Sequence, residues 1–275
     1  EARLDARCVA AGTALGLAEM IASGTTCIAD MYMYTDAIAK TILEAGISAN
    51  LSCGGVYFGK PEEFDPARCE DCINEEILMD SWHGAGEGQI LVDASIHAEY
   101  TSCPPLWEWT ADFARRHGLG MQVHISETQS EHENCWKKYG KTPIALLDQY
   151  GVWERGGIAA HCVWVSNLKL ASGVARVPQM LKAGVNVALG TDGVASNNSH
   201  DLFEEIKLAA ILHKGVGLDP EAVTAQQALE MATVNGARAL GRDTGVIAPG
   251  KTADLILVDF SAPNLFPCHD AVENL

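Results

Sequence analysis

The sequence contains no apolar run approaching the ~18 residues of a membrane span, so no membrane partner is expected. Basic residues are scarce: 19 Lys and Arg stand against 36 Asp and Glu, a net charge of -17. Nucleic-acid binding rests on basic phosphate contacts, and this balance argues against it. An acidic enzyme acting on a small-molecule substrate is the simpler reading, with a cytoplasmic location expected and homo-oligomerisation left open. The nine cysteines are odd in number and scattered, several in apolar segments (Cys8, Cys27, Cys162). They read as reduced thiols rather than a disulfide framework. Cys69-Glu70-Asp71-Cys72 lacks the second C-x-x-C that a zinc site needs, and reads as two thiols on one helix face. The chain does not begin with Met, and it is expected to be part of a longer protein. What is plentiful is core-forming material. A 48% hydrophobic chain of 275 residues can bury one large α/β domain.

Hydrophobic spacing alternates along the chain. Leu4, Cys8, Ala11, Leu15, Ala18 and Ile21 recur at helical intervals and stop at Gly24. Strands are predicted at Thr25–Ala29, Ile47–Ser52, Ile90–Ile96, Leu119–Val123, Ile158–Ala160 and Val185–Leu189. Helices are predicted at Asp36–Ala45, Pro105–His117, Thr142–Tyr150, Val177–Ala183, Phe203–Lys214 and Ala225–Leu240, with Pro61–Glu87 polar and partly helical. Such alternation implies βαβ units and a parallel sheet. The tail differs: Thr244–Asp259 reads as turn, strand, turn, strand around Pro249-Gly250.

Polar residues recur where the apolar runs end. His97 lies in S-I-H-A-E-Y, His124 and Glu127 in V-H-I-S-E, His161 in A-A-H-C and Asp192 in G-T-D-G. Histidines and carboxylates at the C-terminal ends of successive strands are the arrangement of a catalytic metal site on a β/α barrel. His83, His117, His132, His213 and His269 lack that context and read as surface residues, whereas His200 follows the Ala195–Asn198 loop, near the mouth of such a site. Asp30 reads as structural, and Trp164 as a core residue or a stacking lid.

Six strands do not close an eight-stranded barrel. One strand is expected before Glu1, and a helix plus a strand are missing near Ser166–Asn167. A break in the backbone is therefore expected between Trp164 and Leu168, most naturally beside Ser166.

The order H-A-E-Y, H-I-S-E, A-A-H-C, N-L-K-L-A-S-G, G-T-D-G-x-A-S-N-N and G-x-I-x-P-G-K-x-A-D-L resembles the amidohydrolase superfamily. Within it, the chain is similar to 5′-methylthioadenosine/S-adenosylhomocysteine deaminases and their triazine-hydrolase relatives. The resemblance implies a metal-dependent (β/α)8 TIM-type barrel, incomplete in this chain, over 1–243, and part of a small β-sandwich over 244–275. It implies one divalent metal ion, zinc with iron as the alternative. His124 and Asp192 would be metal ligands, and the H-x-H that supplies two more is absent from this sequence. Glu127 would be the proton shuttle and also touch substrate, His161 would hydrogen-bond the attacking hydroxide, and His97 would contact substrate. Glu1 falls where the family places an acid that holds ribose hydroxyls.

The implied chemistry is hydrolytic deamination of an adenine-type nucleoside. A divalent metal lowers the pKa of bound water to about 7 and supplies hydroxide. Attack on the ring carbon that bears the amino group needs a carboxylic acid to protonate N1, and ammonia then leaves. Asp192 can both bind metal and take the hydroxide proton. Binuclear relatives carry a modified lysine after the fourth strand; Ser95-Ile96-His97 has none, so a single metal is expected. His97-Ala98-Glu99 matches half of the unrelated zinc-deaminase signature, but no P-C-x-x-C follows. Ser52-Cys53-Gly54-Gly55 has no Arg for a homocysteine carboxylate, which leans the substrate towards small 5′ groups. The rivals are a guanine-type or triazine hydrolase and a metal-free binding or scaffold protein.

Overall fold

The computed structural model describes residues 4–160 and 164–275. The chain divides into two compact units, Glu1–Ala18 with Cys27–His161, and Glu19–Thr26 with Cys162–Leu275. Helix α1 (Ala6–Ala22) spans the first boundary. Among the described residues, no helix is long and apolar enough to cross a membrane.

The first unit is built on parallel strands taken in chain order: β1 (Cys27–Met31), β2 (Ser48–Ser52), β3 (Ile90–Val92), β4 (Ala94–Ala98), β5 (Met121–His124) and β6 (Gly157–Ala160). Strands β3 and β4 are two halves of one run interrupted at Asp93. Successive backbone groups of a strand point to opposite sides. Accordingly, Asp93 N–H donates to Leu51 O on one side and Ala94 N–H to Gly120 O on the other. The buried Asp93 carboxylate also accepts from Asn50 Nδ2 and Gln122 Nε2, both at 2.9 Å, so β2 and β5 are tied to it by side chains too. The strands form two three-stranded parallel sheets, β1-β2-β3 and β4-β5-β6, and this order without reversal is the winding of a barrel, not of a doubly wound sheet.

The connecting helices are α2 (Thr35–Ala45), α3 (Glu70–Trp82), the short irregular α4 (Ala85–Gly88), α5 (Pro104–His117), α6 (Gln129–Tyr139) and α7 (Pro143–Asp148). Helix α5 shows why they form where they do. Pro104 and Pro105 suit a first turn, whose N–H groups have no helical partner. Leu106, Trp107, Thr110, Ala111, Phe113 and Ala114 make its buried stripe. Arg115, Arg116 and His117 oppose the negative end of the helix dipole, and Gly118 closes it at φ 71°. Strand residues Ala49, Leu51, Ile90, Val92, Ile96, Met121 and Val123 are buried, as expected where helices cover one face and a filled interior the other. Cys69 precedes α3 and is buried with Cys72, Cys103 and Leu106. Burial pushes the Cys72 thiol up, so this C-x-x-C is core packing.

Strand β1 begins two residues later than the sequence suggested, so Asp30 lies inside it rather than after it. Burial holds its carboxyl at about 6, against a lowering hydrogen bond from the Met31 backbone. The unfolded-state value is near 4. Below pH ~4 the group is protonated in both states and costs nothing. Between about pH 4 and 6 the unfolded state ionises while the folded state keeps its proton, so stability falls across that window and levels off above it. Asp30→Asn should therefore gain up to about 3 kcal/mol at pH 7.5 and almost nothing at pH 3. Denaturant titrations at the two pH values check this; an equal gain at both would refute it.

The second unit contains α8 (Trp164–Lys169), α9 (Val177–Lys182), α10 (Val194–Asn197), α11 (Leu202–Gly217), α12 (Ala225–Ala232), α13 (Val234–Ala239) and α14 (Ala271–Asn274). Trp164, Val177, Val187, Ile206, Ala209, Val223, Ala228 and Met231 form its core. Four readings are corrected here. The backbone runs unbroken through Trp164–Lys169 as one helix, continued by Leu170 N–H donating to Ser166 O. Val185–Leu189 is not a strand. A strand needs a neighbour about 4.8 Å away, and here Val185 and Leu189 N–H go to Met180 O and Met231 O at helix ends. Thr244–Asp259 forms no strand either, and Ile247 and Leu257 are 88% and 101% exposed. An isolated two-stranded hairpin is marginal in water, and no strand is described anywhere in this unit. Finally, His213 is buried on α11, its ring 5.0 Å from that of Trp164, and burial lowers its pKa. Trp164 is thus a core residue.

Candidate functional site

In the first unit, His97 and His124 are brought together. The register of β4 against β5 shifts between Ile96 and Ala98, which makes His97 the extra residue of a β-bulge. Bulges re-aim a side chain at a strand end. The two imidazole centroids lie 5.0 Å apart, their planes tilted by 35°. His124 Nδ1–H donates to His97 O at 2.9 Å. A carbonyl oxygen only accepts, so the neutral ring carries its proton on Nδ1 and its lone pair on Nε2. A backbone carbonyl on the other ring nitrogen is the usual orientation of a metal-ligating histidine, and the donor set suits a divalent cation. His97 Nδ1 is hydrogen-bonded to Thr101 Oγ1 at 3.0 Å.

Glu127 follows His124 by three residues, after Ser126 at φ 52°. Tyr100 makes an edge contact with His97, ring centroids 6.4 Å apart. Burial raises the Tyr100 phenol first, and the negative charges of Glu127, Glu131 and Glu99 add to it. Glu127 is therefore electrostatically close to the residues beside His97. Cys53, after β2, is half-buried with its thiol pushed up by burial, so it carries no charge.

The second unit holds Asp192 at φ 60° in its loop. Its Oδ2 accepts from Ser166 Oγ at 2.8 Å and its Oδ1 from Gly193 N–H at 2.6 Å. Ligating carboxylates are normally held by such neighbours. The buried Glu205 organises the surroundings. It accepts from Trp164 N–H at 2.7 Å, Val165 N–H at 3.2 Å and Asn197 Nδ2 at 2.9 Å. Asn197 Nδ2 also donates to Thr191 O at 2.7 Å, next to Asp192. His200 Nδ1 is hydrogen-bonded to Thr191 Oγ1 at 3.2 Å; burial lowers its pKa, against the raising effect of Glu19 and Asp192.

Glu1 and His161 lie outside the described residues. Among the described residues, no three or more His, Cys, Asp or Glu side chains form a metal-holding group. Glu131, Ser166, Asn197 and Glu205 were missed by sequence reasoning. Two of them left a signal. Thr128-Gln129-Ser130-Glu131 is a capping-box pattern, and Glu205 shares the buried four-residue stripe of α11 with Ala209 and His213.

Parallel strands wound in chain order, with His97 and His124 at the ends of neighbouring strands, define a TIM-barrel-type α/β protein. The amidohydrolase family model matches residues 1–274, and the chain belongs to that family. It is 42% identical over its whole length to a 5′-deoxyadenosine deaminase of Methanosarcina acetivorans, covering 67% of that protein. It is 43% identical over its whole length to a 5-methylthioadenosine/S-adenosylhomocysteine deaminase of Moorella thermoacetica, covering 68% of it. A zinc-bound adenosine deaminase from Xanthomonas campestris superposes with TM-score 0.89 at 33% identity, over 99% of this chain and 66% of that one. The chain thus spans about two thirds of the length of these relatives. The two sequence alignments run over 295 and 297 residues, 20 and 22 more than the 275 of this chain.

Proposed function

We propose that the protein hydrolytically deaminates an adenine-type nucleoside with a small 5′ group, such as adenosine, 5′-methylthioadenosine or 5′-deoxyadenosine. The observation that carries this is the His97–His124 pair, with the His124 Nε2 lone pair left to ligate and Glu127 three residues on. It occurs in a chain whose relatives at 42% and 43% identity are named as deaminases of such nucleosides.

In this reading His124 and Asp192 hold one divalent metal ion, zinc. When bound, that metal makes water a nucleophile near neutral pH. Glu127 holds the proton taken from the water and delivers it to N1 of the ring as negative charge develops there. A second transfer lets the amino group leave as ammonia. Asp192 accepts the remaining water proton, and its hydrogen bonds from Ser166 and Gly193 keep the carboxylate oriented. His97, held by Thr101, orients the substrate. His161 and Glu1 are assigned to the attacking oxygen and the ribose hydroxyls.

The domain reading is part of the same proposal. Residues 1–243 are the barrel region, lacking the counterpart of an internal helix and strand. The longer alignments of the relatives support the internal deficit.

The test is product release by the whole protein loaded with zinc, read as ammonia from an aminated ring and as chloride from a chlorinated one. Adenosine, 5′-methylthioadenosine and 5′-deoxyadenosine are assayed beside guanine and a chlorotriazine. Release confined to guanine or chlorotriazine would overturn the substrate class, and no release from any ring would overturn the activity. Within the adenosine series, S-adenosylhomocysteine should react at least ~10-fold more slowly than 5′-methylthioadenosine, because uncharged Cys53 offers its carboxylate no charge-assisted partner. The reverse order in kcat/KM would show that a basic residue elsewhere does that work.

A further inference from the structure

The turn between β5 and α6 is held by an unusual number of bonds to one side chain. Glu131, 7% exposed on the first turn of α6, accepts from Ser126 N–H through Oε1 at 2.9 Å. It accepts from Glu127 N–H through Oε2 at 2.8 Å, and the Thr128 backbone N–H also bonds to it. In return Glu131 N–H donates to Thr128 Oγ1 at 3.2 Å. An ordinary capping box needs only the reciprocal pair between Thr128 and Glu131. The bonds to Ser126 and Glu127 do nothing for the helix; they fix the backbone that leads from His124 to Glu127. Ser126 sits there at φ 52°, a conformation that costs a non-glycine residue roughly 1 kcal/mol and persists only where surroundings impose it.

We propose that Glu131 is a positioning residue for Glu127: its buried carboxylate clamps the consecutive N–H groups of Ser126, Glu127 and Thr128 and so sets where the Glu127 side chain leaves the strand end. The inference rests on the reading of Glu127 as the proton shuttle. Displacing a reacting group by about 1 Å can cost about 10²-fold in rate. A clamp on this turn therefore acts on kcat, with substrate binding little changed.

The experiment compares Glu131→Gln, Glu127→Gln and Thr142→Ala in the whole protein. Zinc content and melting temperature are measured on each preparation, and rates are expressed per zinc-loaded folded enzyme. Thr142 caps α7 through Ala145 N–H and is the control for loss of a helix cap alone. Glu131→Gln keeps the size of the side chain but puts an amide NH2 against the clamped N–H groups. It should lower kcat 10- to 100-fold, change KM less than ~3-fold and retain zinc, whereas Thr142→Ala should lose melting temperature only. A wild-type kcat in Glu131→Gln beside an inactive Glu127→Gln would overturn the clamp. An active Glu127→Gln would instead overturn the reading of Glu127 on which it rests. A kcat loss of equal size in Thr142→Ala would reduce Glu131 to a helix cap and overturn the proposal as well. If Glu131→Gln does not fold, Glu131→Asp carries the same test. It keeps the charge and draws the carboxylate back by one methylene, and wild-type kcat in it is again the overturning result.

Discussion

Glu127→Gln should lower ammonia release by roughly two to four orders of magnitude while zinc content and melting temperature stay at the wild-type level. The size is that of removing a positioned proton-transfer group. Glutamine has the shape of glutamate and keeps an oxygen acceptor, but it cannot carry a proton from water to N1. Zinc stays because the ligands assigned to it are His124 and Asp192, and His124 is oriented by the His97 carbonyl rather than by Glu127. Folding is preserved because the clamp on this turn is made by the Glu127 backbone N–H, which the substitution keeps. Loss of zinc from the variant would make Glu127 a ligand. Near wild-type turnover would remove the proton shuttle from this residue.

Glu205→Ala should cost the second unit about 3 kcal/mol. Without the carboxylate, Trp164 N–H, Val165 N–H and the Asn197 amide lose their acceptor inside a buried pocket, and each unpaired buried donor costs about 1–3 kcal/mol. Partial relaxation and entering water keep the sum below the simple total. Glu204, its exposed neighbour, is the control, and Glu204→Ala should stay within about 0.5 kcal/mol of wild type. With two compact units a single unfolding transition need not report one of them. Amide hydrogen exchange at Trp164 and Val165 is therefore the direct measurement. Equal protection in the two variants would show that Glu205 does not hold the start of α8. The same substitution also unties Asn197 from Glu205, and Asn197 holds the carbonyl of Thr191 beside Asp192.

Legibility differed between the two halves of the chain. In the first unit each predicted strand is present, displaced by a residue or two, because its apolar run meets the next run across a short helix and pairs with it. His97, His124 and Glu127 could be placed at strand ends for that reason. The clamp on Glu127 could not be read, although Thr128 and Glu131 announced the helix start, since a capping pattern says nothing about which further N–H groups the carboxylate reaches. Helix α6, with Lys, Glu, Gln and His over most of its surface, was missed because its apolar stripe is too thin to register.

In the second unit the same rules misread Val185–Leu189, Thr244–Asp259 and His213. The β-branched pattern at Val185–Leu189 is strand-like in isolation, but its backbone groups are taken by the ends of α9 and α12. His213 read as a surface residue because it lies at no strand end, yet its position on α11 faces Trp164.

By itself, then, the sequence determined the parallel β/α winding of the first unit, the residues at its strand ends and the family they belong to. Those follow from local periodicity and from fixed spacings along the chain, such as the three residues from His124 to Glu127. Only the tertiary structure decided the His97 bulge, the tautomer of His124, the clamp by Glu131, the hub at Glu205 and the irregular path of Val185–Leu189. Each depends on which distant backbone group meets a given donor or acceptor, and a hydrogen-bond partner far along the chain leaves no trace in the local pattern.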